Sequence, residues 1–231
     1  MRSRVRWFWA IAALCAMAGA SAQAHDLFDG LFVGHRTIHG SGTMATQIRD
    51  VGSFTKIEVT MGIDVYVTVG SPQQVKLTFD DNIIDRIRTR VRGNTLEIDT
   101  RSSLDCDSDC KIEITVPAIE AFSLAGSGNI EIHGVNGDEF SIDLAGSGDI
   151  RVSGKTRSVS IDVAGSGDID TRELIAEDAE VDIAGSGNVR VYAEKSLEAD
   201  VSGSGDIRYY GDPENVESDV SGSGSIRRGR G

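Results

Sequence analysis

The chain has 231 residues, with 23 Lys and Arg against 36 Asp and Glu for a formal net charge of −13, 27 glycines, 3 prolines and 6% aromatic residues. That length suits one or two domains with a real core, and the acidity excludes a nucleic-acid binder, which needs a clustered basic surface. Glycine without a Gly-X-Y period excludes collagen, and the regular apolar spacing further along excludes bulk disorder.

Arg2, Arg4 and Arg6 precede an apolar run from Trp7 to Ala20, and Ala22-Gln23-Ala24 forms an A-x-A site. A basic start, a short apolar stretch and small residues at the cut predict a secretory signal peptide over residues 1–24. The run of about 14 residues is shorter than the roughly 20 of a membrane helix. An exported protein is therefore expected, periplasmic or secreted and not membrane-spanning. Cleavage removes three arginines and no acid, which takes the net charge to −16. Residues 25–42 show little periodicity and are expected to form a mobile arm. His25, His35 and His39 in that arm offer imidazole nitrogens to a transition metal, but a loose arm does not preform such a site. His133 stands alone on a strand and is expected at the surface.

Residues 43–117 read as a less regular β region that caps the repeats C-terminal to it. Ile57 to Val67 alternates apolar and polar residues and aligns without gaps with Ile142 to Val152, so it is expected to be a degenerate copy of the later repeat. Val75–Phe79 predicts a strand, Asn82–Arg88 one helical turn, and Thr89–Arg92 and Thr95–Thr100 two strands around Gly93-Asn94. Loss of Cys15 with the signal peptide leaves Cys106 and Cys110, an even pair in an oxidising compartment, which predicts a disulfide. The ring it closes is short, so its stabilisation is modest. Alternating Asp105, Asp107 and Asp109 offer hard oxygens to calcium, yet Cys110 and Val116 stand where an EF-type loop needs Gly and Glu. The pair is not a C-x-x-C redox motif either.

From residue 118 to 228 the chain is a repeat. Gly-Ser-Gly recurs at 126–128, 146–148, 165–167, 185–187, 203–205 and 222–224, at spacings of 20, 19, 20, 18 and 19 residues. Alternating strands flank each copy, as in Ile142-Asp143-Leu144-Ala145 before one turn and Asp149-Ile150-Arg151-Val152 after it. Two all-β arrangements fit, a meander of hairpins and a β-solenoid of about 19–20 residues per rung. The uniform turn favours the solenoid, because stacked corners need residues free of a Cβ and able to reach positive φ. Ile142, Leu144, Ile150 and Val152 are then expected to point inward. Residues 229–231 form a tail.

Gly40-Ser41-Gly42 leading to Phe54-Thr55-Lys56-Ile57-Glu58-Val59, then Gly62-Ile63-Asp64-Val65, the Pro117–Leu124 stretch and the Gly-Ser-Gly-Asp/Asn array together resemble the head GIN domain of putative auto-transporter adhesins. The resemblance covers residues 38–228 and implies an extracytoplasmic, right-handed β-helix-like solenoid. It brings no catalytic residues. With no barrel or stalk pattern between residue 38 and Arg227-Arg228-Gly229-Arg230-Gly231, the self-transport that the family label implies is not expected.

Stacking creates two polar ladders: Asp143, Asp162, Asp182, Asp200 and Asp219 before the turns, and Asn129, Asp149, Asp168, Asn188 and Asp206 after them. Like charges one rung apart repel by about 0.9 kcal/mol per pair in water. Solvation, Asx-type hydrogen bonds to turn amides and the nearby Arg151, Arg190, Arg208 and Arg227 are expected to offset this. The alternative is weak calcium binding between rungs by Asp143, Asp162, Asp182, Asp149, Asp168 and Asp206, through hard-oxygen ligation; no other cofactor is indicated. Evenly repeated carboxylates mark no unique cleft for a carbohydrate-active enzyme. Ser127 and Ser147 lie in turns, not in a nucleophile elbow. Tyr209-Tyr210 is the best isolated contact patch. The expectation is a non-catalytic, adhesin-like module for an unknown surface polymer or protein, with homo-oligomerisation through the C-terminal solenoid edge as a further expectation. A carbohydrate-active enzyme and a purely structural envelope protein are the rivals.

Overall fold

The computed structural model describes residues 37–106 and 109–230; the expected signal peptide and residues 25–36 of the expected arm, with His25 and His35, lie outside the described residues. Apolar–polar alternation becomes strands whose inward residues stack from rung to rung. The array comprises β10 (Ala121–Gly126), β11 (Asn129–Gly146), β12 (Asp149–Gly165), β13 (Asp168–Gly185), β14 (Asn188–Gly203), β15 (Asp206–Tyr210), β16 (Asn215–Gly222) and β17 (Ser225–Arg228). All pair in parallel. Ile142, Leu144, Ile150 and Val152 are buried, as are their counterparts Ile161, Val163, Ile169, Val181 and Ile183. Each such side chain contributes about 1.5–3 kcal/mol by leaving water. The result is a β-solenoid.

The Gly-Ser-Gly segments are its tight corners. Ser166 N donates to Gly146 O at 2.9 Å, Ser186 N to Gly165 O at 2.8 Å and Ser204 N to Gly185 O at 2.8 Å, so each corner bonds to the corner of the previous rung and not across its own turn. Gly165 has φ +143°, and a Cβ there would lie 2.1 Å from Gly146 O. Gly167 lacks the unusual φ, but its Cβ would lie 2.1 Å from Gly148 O and 2.7 Å from Leu144 Cδ2. One glycine is thus fixed by conformation and close approach together, the other by close approach alone. The second bend of each rung is looser. Register shifts fall there, between His133 and Val135, Arg151 and Ser153, and Thr171 and Asp178, which absorbs the variation in repeat length.

The degenerate copy is a rung. β3 (Lys56–Thr60) pairs with β10, and β4 (Asp64–Val69) with β11, so Met61-Gly62-Ile63 takes the place of Gly-Ser-Gly. A further parallel layer lies beyond it, β7 (Thr95–Asp99) on β3 and β9 (Lys111–Val116) on β4. The chain between β7 and β9 carries the Cys106–Cys110 disulfide, with Cα atoms 6.2 Å apart. Antiparallel strands then close this end: β6 (Arg88–Arg92) on β7, β5 (Gln74–Asp80) on β9, and β2 (Met44–Arg49) on β5. Gly93, at φ +61°, turns the β6–β7 hairpin. A single 3-10 turn, Ile84–Arg86, with Ile83, Ile84 and Ile87 buried, covers the core beside Phe54 and Phe79.

Part of the expected arm is tied down. β1 (Ile38–His39) pairs in parallel with β8 (Leu104–Asp105), and Gly40 N donates to Asp105 O at 2.8 Å. Sequence periodicity could not show this, because a two-residue bridge has no period.

Candidate functional site

The stack aligns side chains into columns. On the face before the tight corners, Ser123, Asp143, Asp162, Asp182, Asp200 and Asp219 share one register column. Beside it run Glu180, Glu198 and Glu217, and on its other side Ala145, Ala164, Ala184, Ser202 and Ser221. Small residues keep that side flat, so the carboxylates stand along a shallow terrace. The Asp162 carboxyl is pushed up to about 6, first by desolvation against the sheet and then by the charges of Asp143, Asp182 and Glu180. Desolvation raises Asp143 as well, and Glu198 is raised by desolvation and by Glu180, Glu217, Asp200 and Asp182. Like charge thus adds to desolvation at Asp162, whose side chain is exposed.

The ladder after the corners behaves differently. Asp149 Oδ1 accepts from Asp168 N at 3.3 Å, and Asp168 Oδ1 accepts from Asn188 N at 3.2 Å and Asn188 Nδ2 at 2.8 Å. Asp206 Oδ1 accepts from Ser225 Oγ at 2.6 Å. These bonds run to the next rung and not, as expected, to the residue's own turn amides, so the carboxylates at Asp149, Asp168 and Asp206 serve the stacking. Asp64 belongs to the same ladder, since its Oδ1 accepts from Asn129 N at 2.9 Å and Nδ2 at 3.1 Å. The gapless alignment of Ile57–Val67 with Ile142–Val152 places Asp64 opposite Asp149 and contained that signal.

The arginines form a column of their own. Arg190, Arg208 and Arg227 stack in one column on the face after the corners, with Asp170 between Arg151 and Arg190. Ion pairs on that face include Arg172 with Asp170 at 2.7 Å and Arg151 with Glu131 at 4.0 Å. Tyr209 and Tyr210 are half-buried, not a free exposed pair. Tyr209 packs against the core, and the Arg172 guanidinium carbon lies 5.8 Å from the Tyr210 ring centre, a cation–π contact.

His39 Nδ1 lies 2.8 Å from Asp105 Oδ2, and His133 Nδ1 lies 3.0 Å from Ser153 Oγ. Both histidines are exposed, as expected for His133. One grouping of three metal-ligand residue types occurs among the described residues: Asp80, Cys106 and Cys110. The disulfide removes both thiolates, and a bonded sulfur has no proton to give. Fully buried Asp80 instead accepts from Gly42 N at 2.7 Å through Oδ1 and sets Oδ2 at 3.6 and 3.7 Å from the two sulfurs. Its role is to anchor the N-terminal segment. Nothing in the local sequence marks Asp80, which the fold brings to the disulfide from a distant strand.

The model of the family described as "Putative auto-transporter adhesin, head GIN domain" matches residues 53–213. Among solved structures, a putative adhesin from Bacteroides fragilis is 25% identical, with a TM-score of 0.67 over 83% of this chain and 99% of that one. A putative lipid binding protein from Parabacteroides distasonis is 28% identical, with a TM-score of 0.52 over 84% of this chain and 100% of that one. A putative adhesin from the same species, 20% identical with a TM-score of 0.60 over 84% and 100%, shares the fold. No curated protein sequence matches the chain.

Proposed function

Because the chain belongs to the family of putative auto-transporter adhesin head GIN domains, we propose that it is an exported, non-catalytic adhesin-like module that binds an extended partner along its acidic terrace. The carrying observation is the in-register column from Asp143 to Asp219, where carboxylates repeat once per rung. Such spacing suits a polymer or protein surface with repeated positive charge. Each contact is weak by itself, and the array gains by multivalency. Crowding, visible in the raised Asp162, favours any ligand that brings cations to the column. Calcium bridging between rungs is a proposal for the same column, centred on Asp143 and Asp162. Asp149, Asp168 and Asp206 each commit an oxygen to the next rung.

The test is binding of the purified protein to immobilised polylysine, an amine-bearing polysaccharide and a neutral glucan. Asp143→Asn/Asp162→Asn/Asp182→Asn is compared with the charge-matched control Asp138→Asn/Glu139→Gln/Glu173→Gln. Binding of the cationic probes is expected to fall about tenfold in the first variant and little in the control. Equal loss in both would reduce the effect to net charge. Hydrolysis of a polysaccharide on the same panel would establish the enzyme instead.

A further inference from the structure

The columns of the acidic terrace do not stop at Asp143. Followed towards the N-terminal end, the Asp219 column runs through Ser123, Glu58 and Glu97 to Arg90, and the Glu217 column through Ala121, Lys56 and Thr95 to Arg92. One continuous sheet face therefore ends in carboxylates on β16 and in guanidinium groups on β6. These two strands are also edges: among the described residues β6 pairs only with β7, and β16 only with β14.

Both edges are unfinished. Every residue of β16 is exposed, and Val216 and Val220 stand 44% and 40% exposed where Leu197 and Val201, one rung earlier, are 2% and 1%. Glu217 and Asp219 have no hydrogen-bond or ion-pair partner among the described residues. At the other end, Arg90 Nε holds Glu97 at 2.6 Å, Arg88 is paired with Asp99, and Arg92 reaches Glu97 only at 3.5 Å with its side chain 66% exposed. Nη1 of Arg88 and of Arg90 and both terminal nitrogens of Arg92 are unused within the described chain.

We propose that copies of this chain associate head to tail, with β6 of one copy adding to the β16 edge of another. Strand direction fits. β6 runs antiparallel to β7, and β7 shares the direction of every rung through to β16, so two copies in the same orientation meet as an antiparallel pair. Column order fits as well. Arg90 arrives opposite Asp219 and Arg92 opposite Glu217, repeating the Arg90–Glu97 pairing inside the molecule. On the inner side, Thr89 comes over Val220 and Val91 over Ser218, which covers an open end of the core. Opposite charges directly across an antiparallel pair are favourable and like charges are not. A β6–β6 or β16–β16 pairing would set arginine against arginine or acid against acid, so the charges that protect each edge from itself direct it to the other. A contact of this heterologous kind does not close at two copies. The contact uses the last acids of the terrace, Glu217 and Asp219, whereas the terrace proposal is tested at Asp143, Asp162 and Asp182.

The experiment is sedimentation velocity of the purified protein across concentration, at about 20 mM and about 500 mM salt. The weight-average mass is expected to climb past the dimer with concentration and to fall in high salt. Glu217→Arg and Arg92→Glu, both on exposed positions, are each expected to weaken association by about tenfold. An equimolar mixture of the two is expected to restore it, since each variant then offers an edge complementary to the other's. Thermal melts confirm that the variants fold. A strict monomer at every concentration, a mass that stops at the dimer, or a mixture no better than its components would overturn head-to-tail association.

Discussion

From Asn129 to Gly203 neighbouring rungs repeat the same corner, the same inward aliphatics and the same acids, whereas from Met44 to Val116 no two layers are alike. The first region is stabilised by sameness. Identical corners bond to each other, Asp64, Asp149 and Asp168 bond to the next rung, and the cost is a column of like charges on the terrace. The second region is stabilised by difference. Antiparallel strands, larger core residues such as Phe54, Phe79 and Leu77, a disulfide, and ion pairs of opposite sign such as Lys76–Glu113 at 2.9 Å close the end. A repeat can be extended without limit, so its termination requires sequence that breaks the repeat.

The largest effect that tests this contrast is a corner substitution. Gly167→Ala puts a methyl group against Gly148 O and Leu144 Cδ2, and is expected to cost roughly 3 kcal/mol or more. That corresponds to a fall in Tm of about 10 °C. Gly137→Ala, where a Cβ meets nothing within 4 Å, is expected to leave Tm unchanged. Equal tolerance at both sites would mean that the corners are not close-stacked.

A smaller effect is expected at the irregular end. Cys106→Ser/Cys110→Ser opens a short ring and is expected to cost about 2 kcal/mol, measured as a drop in Tm that reducing agent reproduces in the wild type. No drop would show that strands and the isoleucine cap hold this end unaided.

The smallest effect goes the other way. The Asp162 carboxyl sits at about 6 when folded against an ordinary value of 3.8, so the folded state binds more protons between those values. Its contribution is fully present below 3.8 and is lost as pH rises through about 6. Wild-type Tm is therefore expected to fall between about pH 4 and pH 6 from this group. Asp162→Asn is expected to raise Tm at pH 7.5 by about 2–4 °C, or about 1 kcal/mol after allowing for solvent screening of an exposed side chain. The gain should shrink as pH falls through about 6 and vanish only below about pH 4. An Asp162→Asn protein no more stable than wild type at pH 7.5 would mean that the column is not crowded.

Period made half of this molecule legible. Gly-Ser-Gly at 126–128 and its five successors identified the stacked corners, alternation at Ile142–Val152 gave the inward residues, and Ile57–Val67 disclosed the degenerate rung. The Cys106–Cys110 pairing followed from parity and compartment. What could not be read were contacts between segments with no shared period: the bridge between β1 and β8, Asp80 beneath the disulfide, and Arg172 over Tyr210. The destination of a side-chain hydrogen bond was equally hidden. Asx chemistry at Asp149 and Asp168 predicted an amide partner, but only the rung stagger places that amide in the following rung.

Binding by the terrace is the central claim. Its most direct measurement is the affinity of Asp143→Asn/Asp162→Asn/Asp182→Asn for the amine-bearing polysaccharide, set against the Asp138→Asn/Glu139→Gln/Glu173→Gln control. About a tenfold loss confined to the terrace variant is the predicted result. Wild-type affinity in the terrace variant would contradict it.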